Sequence, residues 1–250
     1  MAVKIGHAVG DENGKAYGGK AGDQTQKEVY FGKWYADDWH TVLRCKDPAK
    51  AEIMALSCEK ACNNNNIGYD QYQRNTLREA ARAAGFDLDK VEKKCECDCS
   101  SLMTVCAECA GIKVPYNSGN APATSNMVSA FKSTGEFEVL TDSKYLKSDE
   151  LLLRGDILVK KGHTLMILEN DLMKIGFVVF DSRYKGKYTV TTHLNLRIGA
   201  GTSKEKITVM PTSAKVDSFG YYVDVNGTSW LMVQYEQYIG FCSEKYLKKQ

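Results

Sequence analysis

Asp98-Cys99-Ser100-Ser101-Leu102, written DCSSL, opens the stretch whose reading decides the fold. From Ser100 to Ala110 the apolar positions Leu102, Val105, Cys106 and Cys109 recur at helical spacing, and Gly111 stands where a C-cap belongs, so a helix starts at or next to Cys99. Asp98 and Ser100 are both capping types, which puts Cys99 among the unpaired amides of a first turn, where the helix dipole favours an anion. Thiolate is the nucleophilic form of cysteine, and such a position lowers the thiol pKa from its free value of about 8.5. The same amides are placed to receive the oxyanion formed when a thiolate attacks a carbonyl.

Downstream, RGDILVKKGHTLMIL at residues 154–168 supplies a base. Gly155 and Asp156 lead into a strand, Gly162 marks a turn, and His163 heads the apolar run Thr164 to Leu168, which reads as a buried strand. A histidine at the rim of a sheet can face a helix N-terminus packed on that sheet, accept the Cys99 proton and later return one to a leaving amine. Around these strings, Asp47-Pro48 starts a helix running to the Asn63–Asn66 cluster, Gln71 to Ala84 forms a second, and Ser125 to Ser133 a third before Gly135. Strands are expected near Glu136 to Leu140, Gly155 to Lys160, Thr164 to Leu168 and Lys174 to Asp181. Helices gathered ahead of an antiparallel sheet make an α+β layer fold.

DCSSL, RGDIL and GHTLMIL together resemble the papain-like cell-wall peptidases of the NlpC type and their CHAP relatives, in motif, order and spacing. The resemblance implies a papain-like domain with a Cys99–His163 pair and no cofactor or metal. It implies that Tyr69 in NIGYDQYQR helps build the oxyanion and substrate site, and that Asp98 and Ser100 bind the polar ends of the substrate. A third polar residue must orient His163. The stretch Ile175 to Phe180, where NlpC-type members keep it, is almost wholly apolar, so Glu169 or Asn170 takes that place as in CHAP-type members. GDQT followed by Lys27, Glu28 and Val29 is similar to openings found in phage-type lysins.

From about Lys187 the texture changes to short alternating strands, with Asn226-Gly227 as a tight hairpin between YYVDV and SWLMVQY. Such a run implies a small all-β barrel. LNLRIGAGTS, TSWLMVQY and GFCSEKYL resemble a bacterial SH3-type domain, through Asn195, Arg197, Gly199, Gly201, Trp230, Gly240 and Tyr246. That resemblance implies binding to cell-wall peptide or glycan. The expected organisation is a peptidase domain over residues 1–183 and a wall-binding domain over 187–250, the latter with 8 basic and 5 acidic residues and a net charge of +3.

Whole-chain composition sets the remaining bounds. Its 33 basic against 31 acidic residues offer no case for nucleic acid, and no apolar run approaches the roughly 20 residues of a membrane span. MAVKIGHAVGDENGK has no apolar signal-peptide core, so accumulation in a host cytoplasm is expected, with action on the wall after release. Cys95, Cys97, Cys99, Cys106 and Cys109 also permit a zinc site, but Cys106 and Cys109 fall on the apolar helix face and no histidine is near in sequence. Packing accounts for the cysteines other than Cys99. His7, His40 and His193 read as structural or exposed. The opening 45 residues, rich in glycine and aromatics, show no usable periodicity and read either as a strand and loop packed on the catalytic domain or as a substrate-lining segment.

The combination resembles a phage-type endolysin: a peptidoglycan hydrolase cutting an amide of the stem peptide, as an endopeptidase. The alternatives are an N-acetylmuramoyl-L-alanine amidase, a non-catalytic wall-binding protein and a zinc-stabilised module.

Overall fold

The computed structural model describes residues 2–169, 179–197, 199–204, 206–236 and 238–250. It divides into two compact units, Met1–Asp171 and Leu172–Gln250. Both mix strand and turn, and helices longer than one turn occur only in the first among the described residues.

The first unit is built on a six-stranded antiparallel sheet in the order β2-β1-β8-β7-β3-β6. Its strands are β1 (Lys4–Ala8), β2 (Val29–Lys33), β3 (Thr41–Cys45), β6 (Phe137–Leu140), β7 (Ile157–Lys160) and β8 (His163–Ile167). A separate parallel pair joins β4 (Ile67–Tyr69) to β5 (Cys95–Cys97). Half of the main sheet therefore comes from the opening 45 residues, which corrects the expectation of helices gathered ahead of the sheet. The reason is burial on both faces. Leu43, Ile157, Val159, Met166 and Leu168 pack toward the helices, while Val3, Ile5, Val42, Leu158, Leu165 and Ile167 form a second core with Trp39 and Leu152. A strand buried on both sides shows no polar-apolar alternation, so KIGHA carries no strand signal of its own.

Among the described residues the helices longer than about one turn are α1 (Pro48–Asn63), α2 (Thr76–Ala83), α3 (Cys99–Cys109) and α4 (Met127–Ser133). Asp47 caps α1 by accepting the Ala49 N–H at 2.9 Å, with Pro48 in the first turn. α2 begins later than Gln71 because the Asp70 carboxylate takes the amides of Tyr72 and Gln73 and holds that segment in a turn. The first nine residues of α3 are all buried, the pattern of a helix enclosed by protein rather than laid on a surface.

RGDIL ties these layers together. The Arg154 guanidinium binds Glu52 and Glu59 of α1 and the Leu168 carbonyl beyond β8, so one buried cation joins helix to sheet. Asp156 accepts two bonds from Arg44 of β3 and the Leu153 N–H. Between them Gly155 has φ +89°, and an added Cβ there would stand 2.6 Å from the Ala51 carbonyl oxygen.

The second unit is a seven-stranded sheet in the order β11-β10-β14-β13-β12-β9-β15. Its members are β9 (Val179–Val190), β10 (Leu194–Arg197), β11 (Lys206–Met210), β12 (Lys215–Val225), β13 (Thr228–Tyr235), β14 (Tyr238–Ser243) and β15 (Leu247–Lys249). Asn226 and Gly227, with φ of 53° and 75°, make the tight turn between β12 and β13, closed by the Val225–Thr228 pair. The strand order is open: among the described residues no pairing joins β11 to β15, so the closed barrel expected from the sequence is not formed. Most of the strand expected at Lys174 to Asp181 lies outside the described residues. Its described end belongs to β9, which pairs with β12 and β15. Among the described residues no helix is long and apolar enough to cross a membrane.

Candidate active site

Asp98 is the N-cap of α3, and Cys99 is its first residue. The Asp98 carboxylate accepts the Ser101 N–H at 2.7 Å while the Ser101 hydroxyl accepts the Asp98 N–H at 2.8 Å, a reciprocal box that fixes where the helix begins. Cys99 is 5 % exposed. Burial, helped by the Asp98 carboxylate, pushes its thiol up to about 12, against the pull of the Thr164 and Ser100 N–H groups that donate to the sulfur and of the Arg74 cation. At neutral pH the sulfur is therefore a thiol. This corrects the expectation that the helix terminus alone lowers the pKa: a first-turn dipole acts weakly against near-complete desolvation.

Thr164 is the residue after His163, so the amide contact places the Cys99 sulfur at the head of β8. His163 has the strand parity of Leu165 and Ile167 and stands on the second-core face of the sheet, where Trp39 approaches its ring at 6.2 Å between centroids. Beside it, β1 pairs with β8 through Ile5–Ile167 and Gly6–Met166, and the next residue of β1 is His7. His7 Nδ1 lies 3.2 Å from His163 Nε2. Both imidazoles are lowered to about 4, each mainly by burial, with His163 adding to the effect on His7 and Lys160 to that on His163. Two neutral rings suit the contact, since one nitrogen must donate and the other accept. His7 Nε2 is buried without a hydrogen-bond partner.

Tyr69 stands thirty residues before Cys99 in sequence, yet the parallel β4–β5 pairing sets it opposite Cys97, two residues from the thiol. Its hydroxyl accepts from Gln71 Nε2 at 3.1 Å, and burial raises the phenol to about 12. Asp98 and Ser100 are buried, and one side chain engages both. Arg74 donates to Asp98 at 2.7 and 3.1 Å, to Ser100 Oγ at 2.8 Å, and to the carbonyls of Ala121 and Pro122. Glu169 stands past the far end of β8, six residues beyond His163, where it accepts the Lys4 N–H at 3.1 Å. Asn170 lies outside the described residues.

A family model described as Endolysin-like domain matches residues 5–174, from β1 through the histidine strand. The chain belongs to the endolysin-like domain family. Membership supports a phage-type cell-wall hydrolase with peptidoglycan as substrate. No curated protein and no solved structure matches this chain.

Within the endolysin-like domain, two residues at this site had no sequence signal. His7 is set against His163 only by the β1–β8 pairing, and Arg74 reaches Asp98 only across the β4–β5 crossover. The remaining cysteines of the crowded segment pack inward: Cys95 and Cys97 donate to the carbonyls of Asn66 and Gly68, and Cys106 is fully buried in the main core. All nine cysteines are free thiols, and among the described residues no group of three or more His, Cys, Asp or Glu is arranged to hold a metal ion.

Proposed function

We propose that the endolysin-like domain is a cysteine peptidase of papain-like design that cuts an amide in the peptidoglycan stem peptide. What supports this reading is that the amide of Thr164, the residue after His163, donates to the Cys99 sulfur, and that His7 stands 3.2 Å from His163. With Nε2 directed to His7, His163 keeps Nδ1 for the Cys99 proton. As the sulfur attacks the substrate carbonyl, its proton passes to His163 and the oxyanion develops beside the Cys99 N–H at the α3 start and the Tyr69 hydroxyl. His163 then protonates the departing amine, leaving an acyl-enzyme. Water, deprotonated by His163, attacks the thioester and releases a carboxylic acid and the thiol.

The resting thiol and neutral imidazole make this a concerted general-base attack, not the use of a standing thiolate–imidazolium pair. Arg74 positions Asp98 and Ser100, and Asp98 in turn fixes the start of α3. The second unit, on its sequence likeness to bacterial SH3-type domains, retains the enzyme on the wall after release from the producing cell. Mass spectrometry of digested walls tests the reading. An endopeptidase frees an amine within the stem, whereas a free L-alanine amine at muramic acid would make the domain an amidase.

A further inference from the structure

Tyr17 and Tyr72 are 51 % and 75 % exposed, and their rings are stacked at 4.6 Å between centroids with 33° between planes. Exposed tyrosines on two separate loops have no packing reason to meet. Here one buried carboxylate brings them together. Asp70 accepts the Gly18 N–H at 2.7 Å through one oxygen and the Tyr72 and Gln73 N–H groups at 2.6 and 3.0 Å through the other. The Gln71 N–H closes the junction on the Ala16 carbonyl at 2.9 Å. The aromatic pair is thus pre-set on a rigid double loop while its outer surface faces water, the arrangement of a binding platform rather than of a core.

Its position joins it to the candidate site. Tyr72 is two residues from Arg74, a reach of about 7 Å along the chain, and Arg74 holds the residues on both sides of Cys99. Gln71, on the same loop, donates to Tyr69. Gln73 follows Tyr72 in sequence, and Asn75, three residues after Tyr72, is bonded to Asn120 at 2.9 Å. Flat, exposed aromatic faces suit a pyranose ring, which offers C–H groups on its face and hydroxyl or acetamido groups at its edge.

We infer that the Tyr17–Tyr72 pair is a glycan subsite that seats an N-acetylated sugar next to the scissile peptide, so that the preferred substrate is a stem peptide still attached to its glycan. This rests on the hydrolytic reading above, and the test separates the two. Kinetics of the full chain are compared on a disaccharide-linked stem peptide and on the same peptide without sugar. The wild type shows a KM about five- to tenfold lower for the sugar-linked substrate, and Tyr72→Ala or Tyr17→Ala abolishes that preference without changing kcat or the free-peptide KM. Tyr72→Phe keeps the preference, because the ring face remains. An unchanged preference in both alanine variants, or no preference in the wild type, overturns the inference. Should the wild type cut neither substrate, the hydrolytic reading falls and titration with the disaccharide alone decides. Shifted ring resonances of Tyr17 and Tyr72 then support the subsite, and unshifted ones overturn it.

Discussion

His7 Nδ1 and His163 Nε2 lie 3.2 Å apart, one ring on β1 and the other on β8. For His163 to take a proton at Nδ1, its Nε2 must carry hydrogen and donate to His7, which fixes the tautomer of both rings. His7→Ala is expected to lower kcat about 10- to 100-fold with little change in KM, since orientation and not binding is lost. His7→Gln, which still offers an acceptor, restores part of the rate. Steady-state kinetics on soluble wall fragments read both, and an undiminished kcat in His7→Ala would remove His7 from the site.

The same pair makes stability depend on pH. The folded-state pKa of each histidine is depressed to about 4 from 6.5. The unfolded chain therefore binds more protons as pH falls, and stability present above 6.5 is lost between 6.5 and 4. A depression of this size at one buried imidazole is worth on the order of 3 kcal/mol. Urea unfolding at stepped pH should show that loss, reduced in His7→Phe; an equal loss in the variant would assign it to other groups.

Cys99, held as a thiol by burial, should react slowly with iodoacetamide at neutral pH. Its alkylation rate is expected to climb with pH without a plateau below about 10, as it must for a thiol pushed up to about 12. Mass spectrometry of the labelled Cys99 peptide follows this directly. A rapid, pH-independent rate from pH 5 to 8 would reveal a standing thiolate and contradict the general-base route.

Two glycines separate steric from conformational demand. Gly155→Ala is expected to cost roughly 3 kcal/mol or more, because the new methyl meets the Ala51 carbonyl at 2.6 Å in a left-handed backbone. Gly162, with φ +80° and open space, should lose only about 1 to 2 kcal/mol on the same change. Thermal melts of the two variants provide the comparison.

Much of the site could be read in the sequence where chemistry and local structure coincide. DCSSL carries its own cap, and GHTLMIL its own turn and strand, so α3 and β8 appear where their residues imply. What escaped depends on pairing across distance. KIGHA has no period because both its faces are covered, and its histidine looked idle until β1 lay against β8. Tyr69 looked remote from Cys99 because a parallel crossover through α2 cannot be seen in residue spacing. The acidic residues of the GDQT stretch act on backbone instead of substrate: Asp23 caps the amides from Thr25 to Val29, and Glu28 accepts the Tyr69 N–H. Glu169 stands six residues along the chain from His163 and accepts the Lys4 N–H.

The most direct measurement compares clearing of purified Gram-positive walls by wild type and Cys99→Ala, matched by circular dichroism and melting temperature. The account predicts lysis by the wild type and a loss of about a thousandfold or more in the variant. Clearing by Cys99→Ala at the wild-type rate would contradict it, because no other residue of the proposed mechanism could supply the attacking atom.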